Sequence, residues 1–435
     1  MSVSGIRFGS HIAGALLVAA TILFSGSAVA QEAPKTEDKG PDFAGTKITG
    51  DWGGVRTDLH RKGLSLDVVY TADLVGVVRG GLKRGTTALD NLDVIATLDN
   101  EKLLGIKGNS LSIYFLNNNG GEPNETYAGT LQGIDNIEVK TQTGKIYEAY
   151  VQQNFWDDRV SFLAGLYDLN REFNVNESAG LFLGSTFGIG NQFAASGKNG
   201  PSIFPTTSLA FRTQLKPTNE TYVLAAILDG VPGDPGDPRG TQISLAHGDG
   251  ALLVAEAGFT PEAKNRAFGG KYSIGAWRYS DKLDDVRDVD GTGAPVRRRS
   301  QGLYLLGEAP LYRAKEKGDE GLVGFVRLGF SDGDTTAFDH SWSAGVVYTG
   351  LIPGRDGGKL GFGISQASLS NKFRDASATA GTPVDSRETG FELTYRDEIV
   401  PGVALQPNLQ YFINPGADPS LRDVLVLGLR LELSF

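Results

Sequence analysis

Apolar and polar residues alternate with a period of two along many segments of this chain, most regularly at its C-terminal end. In the last segment Leu427 and Leu429 fall on one face, whereas Gly428, Arg430 and Glu432 fall on the other. Successive side chains of a β-strand point to opposite faces, so this pattern predicts strands with one apolar and one polar face.

Sixteen segments of this type follow one another along the chain. Most are about ten residues long, which is the length that a tilted strand needs to cross a bilayer. The predicted strands begin near residues 64, 90, 109, 145, 159, 207, 221, 251, 271, 301, 321, 341, 358, 387, 402 and 423. The even number and the length predict an all-β fold, a sixteen-stranded antiparallel transmembrane β-barrel.

Short and long connections alternate between these strands. The short ones are Phe155–Asp158, Lys216–Glu220, Leu351–Gly357 and Glu398–Pro401. The long ones are near 118–144, 169–206, 230–250 and 281–300. Outer-membrane barrels have short periplasmic turns and long external loops, so the pattern predicts that both chain ends lie in the periplasm.

The first thirty residues have the pattern of a secretory signal. Arg7 precedes the apolar run Ile12–Phe24, and Ala28–Ala30 forms a small-residue cleavage site. The polar, proline-bearing residues 31–45 predict a flexible leader. Residues 46–435 then form a single barrel domain, and the signal directs the chain to the bacterial outer membrane.

Composition and charge exclude several other classes of protein. The formal net charge is −10 and the chain contains no cysteine, which disfavours nucleic acid as a partner and excludes disulfides and thiolate metal sites. The sequence predicts no cofactor. Asp288 begins a weak match to a calcium-binding loop, but Arg299 occupies the twelfth position, where such a loop needs an acidic residue.

Enzyme chemistry has little support in the sequence. After the signal, the only histidines are His60, His247 and His340, and none belongs to a recognised catalytic motif. The chain is therefore not expected to be an enzyme, although a barrel enzyme could assemble His and Ser from different strands.

The polar faces of the predicted strands carry charges, and their apolar faces carry aromatic residues near the strand ends. The charges expected to point inward are Glu148, Arg212, Glu256, Arg327, Glu392, Arg396, Arg430 and Glu432. The expected girdle residues are Tyr70, Trp342, Tyr348, Tyr395 and Tyr411. A polar lumen inside an apolar wall with aromatic girdles is typical of wide outer-membrane barrels.

Several sequence blocks resemble a known family. They are TGDWGGVRTDLHRKG (Thr49–Gly63), LDNEKLLG (Leu98–Gly105), YEAYVQQNF (Tyr147–Phe155), LAGLYDLNREF (Leu163–Phe173), GPSIFP (Gly200–Pro205) and LQPNLQYFINPGA (Leu405–Ala417). In these blocks the chain resembles the carbohydrate-selective porins of the OprB family. The resemblance implies a barrel of the outer-membrane porin type, an inward-folded constriction loop and passive sugar uptake.

The longest predicted loop, 169–206, is the candidate constriction. It contains Asn170, Arg171, Glu172, Phe173, Asn174 and Glu177. The wall charges expected opposite it are Arg212, Glu256, Arg327, Glu392 and Arg396. Arginine forks and carboxylates can bind sugar hydroxyls, and aromatic rings can pack on the sugar face. The alternative is that these charges are lumenal ion pairs that hold the loop or solvate the wall.

These observations lead to the hypothesis of a passive outer-membrane porin for carbohydrates, glucose and related sugars. The alternatives are a general, weakly selective porin for small solutes and an outer-membrane barrel enzyme. The expected partners are sugars, outer-membrane lipids and lipopolysaccharide, and the barrel assembly machinery through the strand that ends at Phe435; a homotrimer is one option. The arginines Arg297–Arg299 lie in a predicted outer loop and could contact lipopolysaccharide phosphates, although a solvated loop is the default interpretation. Asp51, Trp52 and Arg56 precede the first strand and predict a periplasmic plug or an anchor in preference to a substrate role.

Overall fold

A closed antiparallel barrel of sixteen strands forms the body of the protein. The computed structural model describes residues 40–261, 270–314 and 320–435. Each strand pairs with its neighbours in sequence, and β1 closes the barrel on β16. The strands are β1 Leu64–Arg79, β2 Gly85–Asp99, β3 Asn109–Gly120, β4 Gly144–Phe155, β5 Val160–Tyr167, β6 Ser208–Thr218, β7 Thr221–Asp229, β8 Ala251–Phe259, β9 Lys271–Val289, β10 Pro295–Arg313, β11 Gly321–Ser331, β12 Phe338–Thr349, β13 Lys359–Leu369, β14 Arg387–Val400, β15 Val403–Ile413 and β16 Val424–Ser434. The predicted fold class is confirmed.

Two of the sequence boundaries were wrong. The second strand begins at Gly85 and not near residue 90, and the predicted loop 281–300 is largely strand, because β9 and β10 continue into a long hairpin. Arg297 lies 2.9 Å from Asp284 across this hairpin. Charged pairs therefore extend the strand pairing where no apolar alternation marks it.

Five short α-helices accompany the strands within the described residues. They are α1 Phe43–Thr46, α2 Val55–Arg61, α3 Asn100–Leu104, α4 Asn191–Ala194 and α5 Asn371–Thr379. None of the helices in the described ranges is long and apolar enough to span a membrane. The predicted signal and residues 31–39 of the predicted leader lie outside the described residues. The last residues of the predicted leader belong to α1, and Phe43 at its start is buried.

The outer and inner faces of the wall differ as the alternation requires. On β16, Leu427 and Leu429 are 48% and 45% exposed on the outside, whereas the inward-facing Val426 is fully buried. The predicted girdle residues lie on outward-facing positions of their strands; they are Tyr70, Trp342, Tyr348, Tyr395 and Tyr411. The lipid-facing surface is therefore apolar, and the polar positions face the lumen.

Two long loops fold into the barrel. We call residues 121–143 loop 2 and residues 168–207 loop 3; both lie at the loop end, opposite the terminal end that carries Leu64 and Ser434. In loop 3 the ring of Phe193 stacks on Trp277 of β9, with 5.0 Å between ring centroids. Because loop 3 has its own apolar core against the wall, it is a fixed part of the lumen, as the inward-folded loop was expected to be.

The segment before β1 holds the two ends of the barrel sheet together. The Ile48 amide donates to the Ser434 carbonyl at 2.8 Å. Arg56 is 3% exposed, donates to the Leu66 carbonyl at 2.6 Å, and lies 4.6 Å and 5.0 Å from the ring centroids of Phe43 and Trp52. These contacts are with strand ends, so the segment is an anchor of the β1–β16 seam.

We expect Arg56→Met to weaken this seam by about 1 to 3 kcal/mol, because two cation–π contacts and a buried hydrogen bond are lost. The measurement is the temperature at which the barrel loses its folded mobility on unboiled gels. Arg61→Met is the control, since Arg61 on the same helix is 60% exposed and its ion pair with Asp58 spans 3.8 Å. An equal loss in both variants would contradict the anchoring role.

Candidate functional site in the lumen

Arg327 on β11 is the central attachment of loop 3 to the wall. Its guanidinium is 2% exposed and donates only to backbone carbonyls of this loop. The acceptors are Asn174 at 2.8 Å and Thr186, Phe187 and Gly188 at 3.0 Å each. A guanidinium offers five donors in a fixed plane, and carbonyls from two separate turns of the loop converge on it.

Glu256 on β8 binds the same part of loop 3 with the opposite charge. It is 1% exposed and accepts hydrogen bonds from the Asn174 amide at 3.0 Å and from the hydroxyls of Tyr222 and Tyr304 at 2.6 and 2.7 Å. Asn174 is thus held through both its amide and its carbonyl, by Glu256 and Arg327 respectively.

Glu392 on β14 holds the far end of loop 3. Its carboxylate accepts from the amides of Leu183 and Gly184 at 2.7 and 2.9 Å and from the Asn408 side chain at 2.6 Å. It is 2% exposed. Loop 3 therefore crosses the lumen from β5 to the opposite wall.

Arg212 on β6 supports the start of loop 3. Its Nε lies 2.9 Å from Glu172, and its other nitrogens donate to Ser161 and Gln152 at 3.0 and 3.1 Å. Arg212 is 2% exposed. The structure thus places Arg212, like Arg327, Glu256 and Glu392, inward as predicted but beneath the loop, with its charge already bonded.

Arg171 is an accessible charge at the start of loop 3. Its side chain is 41% exposed, forms an ion pair with Glu148 of β4, donates to the Tyr150 hydroxyl at 3.0 Å and lies 5.7 Å from the Tyr150 ring centroid. Next to it, Asn170 binds the carbonyls of Phe173 and Gly188, and Phe173 is fully buried. Of the predicted run 170–173, Arg171 presents the most accessible charged group.

A polar wall on β1 and β16 lies across from loop 3. Arg430 donates to both oxygens of Asp73, at 2.8 Å from Nε and 2.6 Å from Nη2, and to Asn136 of loop 2 at 2.7 Å. Nearer the terminal end, Arg396 pairs with Glu432, and their side chains are 32% and 31% exposed. Both arginines point inward as the alternation predicted.

Strands β2 and β3 continue this wall toward Arg171. Asp93 accepts hydrogen bonds from the Tyr114 hydroxyl and from Asn91, both at 2.6 Å. The Tyr114 ring meets Tyr147 of β4 edge to face, with 5.1 Å between centroids. A continuous band of hydroxyls, amides and charges, which we call the polar arc, thus follows β16, β1, β2, β3 and β4.

Sequence reasoning missed several members of the polar arc. Asp73, Asp93, Tyr114 and Tyr150 lie at inward positions of β1–β4, so the period-two alternation could have identified them. Asn136 had no such signal, because it belongs to a loop whose path depends on tertiary contacts.

Below loop 3, at the terminal end, the lumen widens into a cavity of about 900 Å³. Its lining carries both signs of charge, including Glu177, Glu308, Lys359 and Arg396. Glu308 also accepts from the Ser178 amide at 2.9 Å. Glu177 therefore faces this cavity rather than the polar arc.

Several carboxyls of the inner loops have raised pKa values, Asp168 and Glu138 among them. Burial raises the pKa of Asp168 to about 6, although it accepts hydrogen bonds from Tyr147 and Asn170. Burial likewise raises the pKa of Glu138 in loop 2 to about 7, against the effect of the Asn124 and Glu125 amides that it binds. We therefore expect the conformation of loop 2 to respond to pH.

The described ranges contain no cluster of side chains that would form the metal site or the histidine-based catalytic site considered from the sequence. No three His, Asp or Glu side chains there are arranged to hold a metal ion. Asp290 of the weak calcium-loop match accepts from Thr292 and Ala294, which makes a hairpin turn. The histidines lie apart, on α2, in the loop after β7 and on β12.

A closed sixteen-stranded barrel with an apolar outer face, a polar lumen and a loop folded across that lumen is the architecture of an outer-membrane porin. Residues 83–435 match the family model described as "Carbohydrate-selective porin, OprB family". The chain belongs to this family. It is an outer-membrane channel for the diffusion of sugars, and its family and fold indicate a channel rather than an enzyme.

Individual relatives cover almost the whole chain. Porin B of Pseudomonas aeruginosa is 24% identical over 422 residues, which span 89% of this chain and 91% of Porin B. The "Putative porin QuiX" of Acinetobacter baylyi is 22% identical, over 89% of this chain and 93% of its own. The "High pH structure of Pseudomonas putida OprB" superposes with a TM-score of 0.81 at 21% identity, over 90% of this chain and 100% of that one.

We expect Arg327→Met to release loop 3, because four buried carbonyls lose their donor, at a cost of about 3 to 5 kcal/mol. Single-channel recordings should show larger and noisier conductance, and trypsin should cleave after Lys198 in loop 3. Arg159→Met, in the exposed turn between β4 and β5, is the control. A variant with wild-type conductance and an intact loop would contradict the role of Arg327.

Loop 2 should loosen as pH rises through about 7. The folded-state pKa of Glu138 is raised, so its contribution to stability is present below about 4.3, the ordinary glutamate value, and is lost as pH rises through the folded pKa. The measurement is the rate of tryptic cleavage after Lys140 between pH 5 and 8. The rate for the wild type is divided by the rate for Glu138→Gln at the same pH, which cancels the pH dependence of trypsin itself. A ratio that stays constant over this range would refute the coupling.

Proposed function

We propose that sugars cross the barrel between loop 3 and the polar arc, and that Arg171 and the arc form the selective contact. One observation carries this proposal: loop 3 covers four of the predicted wall charges, Arg212, Glu256, Arg327 and Glu392, whereas Arg171 keeps 41% of its side chain exposed. The buried wall charges act as the scaffold of the loop. The exposed groups of the arc act on the solute.

The arc has the chemistry that a sugar needs. Each sugar hydroxyl can donate and accept a hydrogen bond, and the arc alternates donors with acceptors, as in Arg171, Tyr114 and Asp93. Tyr150 adds an aromatic face beside Arg171. Because these contacts are spread over several strands, binding is weak and multi-site, which lets the solute leave.

The charge pattern of the arc favours neutral solutes over ions. Arg171 is paired with Glu148, Arg430 with Asp73, and Arg396 with Glu432. Paired charges cancel at a distance, so they attract no excess of either ion, yet each pair still offers hydrogen bonds at contact. Glucose and related neutral sugars fit this pattern better than charged metabolites.

The C-terminal strand suits recognition during assembly. The chain ends at Phe435, whose amide donates to the Val68 carbonyl of β1 at 2.9 Å, so the last residue reaches the closing seam. We propose that the barrel assembly machinery binds this strand before it pairs with β1.

The homotrimer hypothesis is tested in the recordings below, because a trimer closes in three equal steps.

The test is sugar block of single-channel current in a planar bilayer, with glucose, a disaccharide and a neutral non-sugar of similar size. We expect saturable block by sugar and not by the non-sugar. Arg171→Met and Asp93→Asn should each weaken the block about tenfold, which corresponds to about 1.4 kcal/mol.

Arg61→Met, on the exposed face of α2, is the matched control and should bind sugar as the wild type does. Open channels that ignore all three solutes would support a general porin instead. An inserted, folded protein without any conductance would contradict both porin functions and favour the barrel enzyme.

A further inference from the structure

A concave apolar groove lies on the lipid-facing wall between β6 and β11. Its floor is made of Ala225, Ala255 and Ala276, which are direct neighbours across β7, β8 and β9. Larger side chains such as Leu253 and Leu303, 46% and 44% exposed, stand at its sides. The groove has a volume of about 870 Å³, because three small side chains adjoin between larger ones such as Leu253 and Leu303.

Three exposed cations lie at the upper edge of this groove, toward the loop end. Arg278 lines the groove itself, and Lys282 and Arg299 are cross-strand partners above it. A bulge in the β9–β10 pairing lies between Arg299 and Gln301, the partner of Arg278. The extra residues of this bulge lie on β9, so Arg299 is opposite Lys282 and only two residues along β10 from Gln301.

The acidic residues nearby are already engaged. Asp281 lies 3.6 Å from Lys198, Asp284 lies 2.9 Å from Arg297, and Asp332 accepts from the Gln301 amide at 2.8 Å. Within the described ranges, Arg278, Lys282 and Arg299 have neither an ion pair nor a side-chain hydrogen bond. These three residues, which we call the basic edge, therefore carry positive charges on the membrane-facing wall without an ion-pair partner among the described residues.

This arrangement corrects the expectation for the arginine run. Arg297 and Arg298 were expected to contact lipopolysaccharide together with Arg299. Arg297 is bound to Asp284, and Arg298 is bound to Asp285 and to Asp288, the latter at 3.1 Å. Their charges hold the long hairpin, so only Arg299 keeps a free guanidinium.

We propose that the groove and the basic edge together bind a phosphorylated glycolipid of the outer leaflet, lipopolysaccharide. The basic edge binds the glucosamine phosphates, and one acyl chain lies along the alanine floor. A phosphate is an anionic partner for three exposed cations that have no ion pair. An acyl chain fills a groove that would stay empty if lipids packed against the wall as against a flat surface. The proposal does not depend on the sugar pathway, since it concerns the opposite face of the wall.

The experiment measures lipid binding by native mass spectrometry of the full-length mature protein in detergent. The probes are lipid A, phosphatidylglycerol and inorganic phosphate. We expect lipid A to bind in preference to phosphatidylglycerol. The triple variant Arg278→Gln, Lys282→Gln, Arg299→Gln should lose at least tenfold in affinity for lipid A.

A matched triple variant removes the same charge at the terminal end. Lys107→Gln, Arg159→Gln and Lys216→Gln lie in or beside exposed turns and should leave lipid A binding unchanged. Ala255→Phe fills the groove and should weaken binding of lipid A but not binding of a deacylated, phosphorylated glucosamine disaccharide. Folded gel mobility and sugar block, measured on each variant, separate loss of lipid binding from loss of the barrel or of the pore.

Three results would overturn the proposal. Equal losses in the two triple variants would mean that net charge alone is responsible. Equal affinity for phosphatidylglycerol would exclude a glycolipid-specific site. Full competition by millimolar inorganic phosphate, with no effect of Ala255→Phe, would leave an anion site without a lipid groove.

Discussion

The guanidinium of Arg327 is the interaction on which the interior of this barrel depends. A sixteen-stranded barrel is wide enough for an open aqueous channel, so a selective contact requires something rigid inside it. Loop 3 supplies that element, yet a loop carries backbone groups that need partners once they leave water. Arg327 donates hydrogen bonds to four backbone carbonyls of loop 3, and Glu256 and Glu392 accept hydrogen bonds from three of its backbone amides. The buried charges of the wall thus fix the conformation of loop 3 inside the lumen.

The barrel itself could be predicted because strand alternation is a local property of the sequence. Val426 is buried and Leu427 is exposed because neighbouring residues of a strand point to opposite faces of the sheet. The same argument failed between residues 281 and 300, where the hairpin is held by ion pairs such as that of Arg297 with Asp284. Charged cross-strand pairs stabilise a strand outside the membrane without marking either face as apolar.

The candidate site could be predicted only in part. Alternation shows that Arg212 and Arg430 point inward, but it does not show which inward charge a loop will cover. Arg212 is buried under loop 3, whereas Arg430 meets loop 2 beside the open wall. That difference depends on the path of two loops, which is fixed by contacts between residues far apart in sequence, such as Leu183 with Glu392.

The protein treats its charges in three distinct ways, and the surroundings of each charge explain its role. Under loop 3, charges are buried and bonded to backbone or side-chain groups, which fixes the shape of the loop. Along the polar arc they are paired, and Arg171 and Arg396 stay accessible, so the arc offers hydrogen bonds without a strong field. On the outer wall Arg278, Lys282 and Arg299 are exposed and unpaired among the described residues. The net charge of the chain is −10, yet these three cations lie together beside an apolar groove. An anionic lipid in this groove can provide the negative charge that pairs with them.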